Sequence, residues 1–152
     1  MKVKITKIAD ELQMQFDESS AYLNTADGEV YIVSYEELSA AEENDPIENF
    51  PEWQRENIKI AQQIICGKNF IKLPSQYDIH EYTIMKKFSY SIHDSKISEA
   101  LQIAIQGKGA FRRFKDACYK FGIIDQWYSY KTEALKDIAI AWCQENDLEY
   151  EV

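Results

Sequence analysis

The spacing of apolar residues changes from a helical to a strand period within the first part of the chain. Near the N-terminus apolar residues recur every three or four positions, as in an amphipathic helix, at Ile5, Ile8, Leu12 and Phe16. Thr6 is the predicted N-cap of this helix. The following stretch, AYLNTADGEVYIVSY, is rich in tyrosine and β-branched residues, and Asp27-Gly28 supplies a turn between its halves. We therefore predict a short helix and then a β-hairpin, with strands at about 21–24 and 29–34.

The next segments combine a loop, a buried helix and a short strand. The acidic stretch EELSAAEENDPIENFP predicts a short helix followed by a connecting loop. A wide apolar stripe then predicts a helix that begins near Pro51 and is closed by Gly67. The residues predicted to face inward in that helix include Trp53, Ile58, Ala61 and Ile65. The run FIKLP is too short for a helix and is stopped by Pro74, so it is either an extended segment or a short edge strand.

The rest of the chain is helical by the same criterion. One predicted helix covers QYDIHEYTIMKKFSYSI, with Tyr77 among its inward residues, and a second runs from Ser95 to Gly107. The third lies between Gly109 and Gly122, and its inward stripe is Phe111, Phe114, Cys118 and Phe121. A final helix covers about 125–145, and the tail LEYEV is a candidate strand. The predicted fold class is α+β, mainly α-helical, with a small antiparallel sheet built on the N-terminal hairpin.

The length of 152 residues predicts a single domain over residues 1–152. The net charge of −9 is concentrated in an acidic part, residues 1–60, where 5 Lys/Arg stand against 14 Asp/Glu. The helical part, residues 61–152, is balanced, with 12 against 12. Within it, residues 107–123 hold five cationic residues against Asp116 alone. An anion site on a protein this acidic must therefore act through local geometry.

Cysteine content and hydropathy indicate a cytoplasmic protein. The three cysteines, Cys66, Cys118 and Cys143, are widely spaced and form no C-x-x-C motif, which favours reduced thiols over disulfides or a zinc site. No window of eighteen apolar residues is present, and the N-terminus turns acidic where a signal peptide would need apolar residues. We expect no membrane partner.

The stretch GKGAFRRFKD, residues 107–116, is the strongest candidate for a binding site. A Gly-x-Gly turn that leads into a helix presents free backbone N–H groups, and the first helical turn favours anions. Guanidinium groups there can bind phosphate or carboxylate oxygens in pairs. The segment is neither a P-loop nor a dinucleotide-binding glycine motif. The alternative is structural: Arg112 or Arg113 pairs with Asp116 on the helix surface, and the glycines only permit a tight turn.

Two further groups of residues extend the candidate chemistry. Trp127, Tyr128, Tyr130 and Lys131 cannot all be buried on one helical face, so rings at the margin could stack on a base while Lys131 joins the arginines. Internal hydrogen bonding of the tyrosines is the alternative. The residues predicted to bind an anion are Lys108, Gly109, Arg112, Arg113, Lys115, Tyr130 and Lys131.

His80 and Glu81 begin like the H-E-x-x-H zinc motif, but Ile84 replaces the second histidine. We predict no metal site and no cofactor. His80 and Glu81 remain candidates for a general acid or base.

The order of several motifs resembles a known family. DGEVY, FPEWQRENI, LPSQYDIHEYTIMKKF, GKGAFRRFKD and IDQWYSYKTEALKDIAIAWCQEN together are similar to the bacterial uncharacterised protein family numbered 158, over essentially the full length. The resemblance implies a bacterial cytoplasmic single-domain protein, and it supplies no catalytic residues.

Two functions follow from these patterns. The first is a non-enzymatic binding module that holds an anionic partner (nucleic acid, nucleotide or acidic protein segment) through the loop and helix of Gly107–Lys115. The alternative is a small enzyme for a phosphorylated or carboxylated substrate, with His80 or Glu81 as acid or base. A homo-oligomer in which the acidic part docks on the basic segment of another copy is a third expectation.

Overall fold

The computed structural model of the chain describes residues 2–14, 18–67 and 69–152. Phe16, assigned above to the first helix, lies outside these ranges. The predicted class is confirmed: the protein is α+β and mainly helical, with a small antiparallel sheet. The strands are β1 (Val3–Lys4), β2 (Ser19–Asn24), β3 (Val30–Ser34), β4 (Phe70–Lys72) and β5 (Tyr150–Glu151). The helices are α1 (Ile5–Gln13), α2 (Tyr35–Glu42), α3 (Glu52–Ile65), α4 (Gln76–Ile79), α5 (Glu81–Ser91), α6 (Ser95–Ala104), α7 (Ala110–Lys120) and α8 (Ile124–Glu145), with a 3-10 turn at Ile47–Asn49.

The backbone groups into two compact units. The first comprises the described part of residues 1–76 together with 139–152, and the second comprises residues 77–138. A single domain over 1–152 stays a prediction. Within the described ranges, no helix combines the length and the apolar character that crossing a bilayer requires.

The first unit contains both sheets. The predicted hairpin is present: β2 pairs antiparallel with β3, with Tyr22 opposite Tyr31, and Gly28 takes the positive φ of 73° that the turn needs. FIKLP provides β4, an edge strand that pairs with β2. The C-terminal tail forms β5, which pairs parallel with β1. Trp142 of α8 donates its indole hydrogen to the Lys72 carbonyl at 3.0 Å.

The second unit has an aromatic core. Phe88 of α5, Phe114 of α7 and Trp127 of α8 are buried, and their ring centroids lie 4.8 to 6.0 Å apart. These tilted and edge-to-face arrangements are favoured by the ring quadrupoles. The side of α7 that carries Phe114 packs against this core, and the opposite side of the helix faces solvent.

Several predicted details were wrong. The first helix begins after Lys4, which is its N-cap in place of Thr6. Trp53 and Ile65, predicted to face inward, are 77% and 41% exposed. Of the four inward residues named for this helix, only Ile58 and Ala61 are buried. The helix predicted over residues 76–92 is interrupted at His80, whose φ of 54° ends α4, and Tyr77 is 82% exposed.

Candidate functional site

The loop between α6 and α7 is shaped by two glycines. Gly107 and Gly109 have φ angles of 75° and 78°, a left-handed conformation that other residues adopt at a cost. Gly109 is also the N-cap residue of α7. A Cβ atom on Gly109 would lie 3.0 Å from Nη1 of Arg113, whereas one on Gly107 would meet nothing within 4 Å. Glycine is therefore required at 109 for two reasons and at 107 for one.

Arg113 closes this loop by binding its backbone. Its Nε donates to the carbonyl of Ala104 at 3.0 Å, and its two Nη atoms donate to the carbonyls of Lys108 and Gln106. The Ala104 carbonyl at the end of α6 has no partner to receive from within the helix, and Gln106 and Lys108 are loop residues. The guanidinium fork of α7 supplies a donor to each of these three carbonyls. Arg113 thus ties the start of α7 to the end of α6, and it makes these bonds to backbone oxygens instead of pairing with Asp116.

Arg112 has a different environment. Its side chain is exposed, and within the described part of the chain it forms no ion pair with Asp116 or with any other carboxylate. The same holds for Lys108 and Lys115, which are also exposed. Three of the predicted anion-binding cations are therefore available to a partner.

Aromatic residues lie on the same side of α7 as Arg112 and Lys115. Phe111 is 49% exposed and Tyr119 is 61% exposed, and both stand four positions from Lys115, one turn along the helix. Tyr119 is hydrogen-bonded to Tyr128 of α8, which is 44% exposed, and this bond raises the pKa of the Tyr119 phenol. We call this surface the α7 face; its members are Lys108, Phe111, Arg112, Lys115, Tyr119 and Tyr128.

The two candidates from α8 lie elsewhere. The Nζ atom of Lys131 lies 2.7 Å from Oε1 of Glu81, in a partly buried ion pair. Tyr130 is half-buried and packs against Phe88, with 5.3 Å between the ring centroids. Neither residue belongs to the α7 face. From the sequence, Glu81 was a candidate acid or base and Lys131 a candidate anion-binding residue. In the folded chain the two side chains pair with each other.

The candidate acid and base are engaged in structural contacts. His80 lies between α4 and α5 and its ring centroid is 5.7 Å from that of Tyr77, while its carbonyl accepts the amide hydrogen of Thr83 at 2.9 Å. Glu81 is held by Lys131 as above. The structure shows no contact that would pair His80 with Glu81 for proton transfer. Among the residues that the structure describes, no group of three or more His, Cys, Asp and Glu could hold a metal ion.

The sequence contains a signal for the Arg113 contact, although it was not recognised. Two glycines just before a helix allow the chain to reverse its direction. An arginine near the start of that helix can then reach the backbone carbonyls of the loop and of the helix before it. Which of the two adjacent arginines does so depends on helix orientation. That orientation is set by the burial of Phe114.

Comparison with known proteins identifies the family. The model of the uncharacterised protein family UPF0158 matches residues 1–152, so the chain belongs to this family, as the order of motifs indicated. A curated relative from Pseudomonas aeruginosa, named as a UPF0158 protein, is 23% identical over 147 residues, which cover 92% of this chain and 82% of the relative. No solved structure matches the chain significantly.

Proposed function

We propose that this member of the UPF0158 family is a binding module for an anionic partner, and that the partner is single-stranded nucleic acid bound on the α7 face. The observation that carries the proposal is the position of Arg112 and Lys115. Both are exposed and unpaired in the described part of the chain, and they lie beside half-exposed Phe111 and Tyr119. The proposal leaves out Arg113, Tyr130 and Lys131, whose contacts are described above.

The mixture of charges and rings favours nucleic acid over the other anionic partners considered. Proteins that bind single strands combine cations that follow the phosphates with aromatic rings on which bases stack. From Phe111 to Tyr119 the helix rises about 12 Å, enough for a few nucleotides. A free nucleotide would use only part of this length, and an acidic protein segment would leave the exposed rings without stacking partners.

Because the chain is acidic overall, its affinity for a nucleic-acid strand must come from direct contacts and not from long-range attraction. The chain carries −9 in total, which repels a polyanion at distances beyond the screening length. The cations of the α7 face act at short range, through direct contacts with the phosphates. We expect weak binding at low salt that becomes weaker still as salt releases the phosphate contacts.

The test measures binding of a short fluorescein-labelled oligo(dT) by fluorescence anisotropy over a series of salt concentrations. Combined replacement of Arg112→Ala and Lys115→Ala should raise Kd about tenfold and reduce the magnitude of the salt slope by about 1.4, which corresponds to two lost phosphate contacts. The matched control is Lys86→Ala with Lys87→Ala, which removes two exposed cations of α5 with the same charge change. An equal loss in both variants would contradict the proposal.

Stacking is tested at Tyr119. Tyr119→Ala should weaken oligo(dT) binding about tenfold, because one stacked base contributes roughly 1–3 kcal/mol, and Tyr119→Phe should leave it unchanged. A short poly-glutamate peptide that displaces the oligonucleotide with equal affinity would assign the surface to an acidic protein segment instead.

The cytoplasmic location is part of the same proposal. All three cysteines are free, and Cys66 is exposed. Free thiols of this kind persist in a reducing compartment.

A further inference from the structure

The second unit contains a depression of about 800 Å³ that the proposed function does not use. It lies between the C-terminal end of α5, the start of α6 and the first half of α8, and it shares no residue with the α7 face. Its volume falls in the range of known ligand sites, which is about 300–1,000 Å³. We call it the α5–α8 groove.

The groove has an apolar floor. Phe88 and Ile123 are buried, and Ile92, Ile97 and Tyr130 are half-buried, so these side chains form its lower surface. Such a floor stabilises an apolar side chain that leaves water to occupy it. Tyr130, predicted from the sequence to join the anion site, is part of this floor.

The rim of the groove is acidic. Asp94, Asp125 and Glu133 are all exposed, and none of the described lining residues is lysine or arginine. Asp94 accepts the amide hydrogens of Lys96 and Ile97 at 2.9 and 3.2 Å as the N-cap of α6, so its carboxylate is partly used.

The other two carboxylates are more available to a partner. Glu133 has one long contact of 3.4 Å with Lys136, and its side chain is 71% exposed. Asp125 forms no ion pair in the described part of the chain.

We infer that the α5–α8 groove binds a cationic amphipathic segment of a partner protein, with apolar side chains on the floor and Arg or Lys side chains against Asp125 and Glu133. The acidic rim excludes a nucleic-acid strand from this surface, because its phosphates would meet carboxylates at short range. The net charge of −9 attracts a basic partner and repels a second copy of the chain. Because the rim carboxylates are exposed, they can also contact a polypeptide segment that is longer than the groove.

The probe is a short fluorescein-labelled peptide with leucines on one helical face and arginines on the other, and its binding is followed by fluorescence anisotropy. We expect saturable binding to the full chain. Asp125→Asn with Glu133→Gln should raise Kd about fivefold, because exposed ion pairs contribute modestly and two are removed. A peptide whose leucines are replaced by serine, with its charge unchanged, should bind at least about tenfold more weakly, because the floor is then left without apolar contacts.

A matched variant separates the groove from general charge attraction. Glu99→Gln with Asp137→Asn removes two exposed carboxylates of the same unit that do not line the groove, with the same change of net charge. It should change Kd less than about twofold.

Equal effects of the two double variants, or no dependence on the leucines, would overturn the inference. A dimer in light scattering that Asp125→Asn with Glu133→Gln dissociates would also overturn it, in favour of a second copy. Neither double variant removes a cation or a ring of the α7 face, so neither should weaken oligo(dT) binding.

Discussion

The guanidinium group of Arg113 donates to the backbone carbonyl of Ala104, so a side chain of α7 completes the hydrogen bonding at the end of α6. The adjacent residue, Arg112, is exposed and makes no ion pair among the described residues. Two neighbouring arginines with the same chemistry therefore have different roles. One holds the backbone, and the other is available for a ligand.

The two arginines should separate in stability measurements. Arg113→Ala should lower the free energy of unfolding by about 2 kcal/mol, because three carbonyl contacts are lost together. Arg113→Lys should recover only a small part of this, since an ammonium group lacks the planar fork. Arg112→Ala should change stability by less than about 0.5 kcal/mol. Urea denaturation measures all three, and equal losses for Arg112→Ala and Arg113→Ala would refute the assignment.

The glycines of the loop provide a double-mutant test of the same contact. Gly107→Ala should cost about 1 kcal/mol, from its positive φ alone. Gly109→Ala should cost about 1 kcal/mol more, because its new Cβ would crowd Nη1 of Arg113. In an Arg113→Ala background the extra cost at Gly109 should disappear while the cost at Gly107 is unchanged. Persistence of the extra cost would show that Arg113 is not its cause.

The cysteines should differ in reactivity toward a thiol reagent such as dithionitrobenzoate. Cys66 is exposed, whereas Cys118 and Cys143 are buried, and burial raises the pKa of both of the latter thiols. In the folded protein at mildly alkaline pH, one thiol should react rapidly and two only after unfolding. The variant Cys66→Ser should have no rapidly reacting thiol, and any remaining fast reaction would contradict the burial.

Cys118 should also make stability depend on pH in the alkaline range. Burial raises its pKa from 9.0 to about 11 in the folded chain. Between these values the unfolded chain loses the thiol proton while the folded chain retains it, so the free energy of unfolding falls as pH rises. In the Cys118→Ala variant, the free energy of unfolding should fall less between pH 8 and alkaline pH than it does in the unaltered chain. An unchanged pH profile in the variant would exclude Cys118 as the source.

The hairpin turn offers a test at acidic pH. The carboxylate of Asp27 accepts the Tyr31 hydroxyl at 2.6 Å and the Glu29 amide hydrogen at 2.8 Å, and these bonds lower the pKa of Asp27. Stability from Asp27 is therefore present above its unfolded pKa and is lost as pH falls through its folded value. Tyr31→Phe should shift the Asp27 pKa upward in an NMR titration, since the largest cause of its depression is removed. A Tyr31→Phe pKa equal to that of the unaltered chain would contradict this.

The local elements were accessible from the sequence because each is dictated by neighbouring residues. Asp27-Gly28 predicted the hairpin, since a glycine at that position allows the positive φ of the turn. The helical spacing of apolar residues predicted α7 and α8, and Phe114, Cys118 and Trp127 are buried, whereas Phe111 of the predicted inward stripe is not. The basic segment was evident from the sequence, because local charge can be counted without coordinates.

The sequence alone could not determine which members of an apolar or cationic group face solvent. Trp53 and Phe111 have the spacing of core residues and are exposed, because helical period gives relative angles and not the direction of the neighbouring elements. The contacts of Arg113 with Ala104 and of Lys131 with Glu81 are decided by how helices pack, and the second pair is separated by 50 residues. The α5–α8 groove likewise joins two stretches that are distant in the chain, residues 88–97 and 123–133. Local propensity and charge pattern therefore determined the elements and the candidate segment, whereas tertiary packing decided which side chains are free to bind.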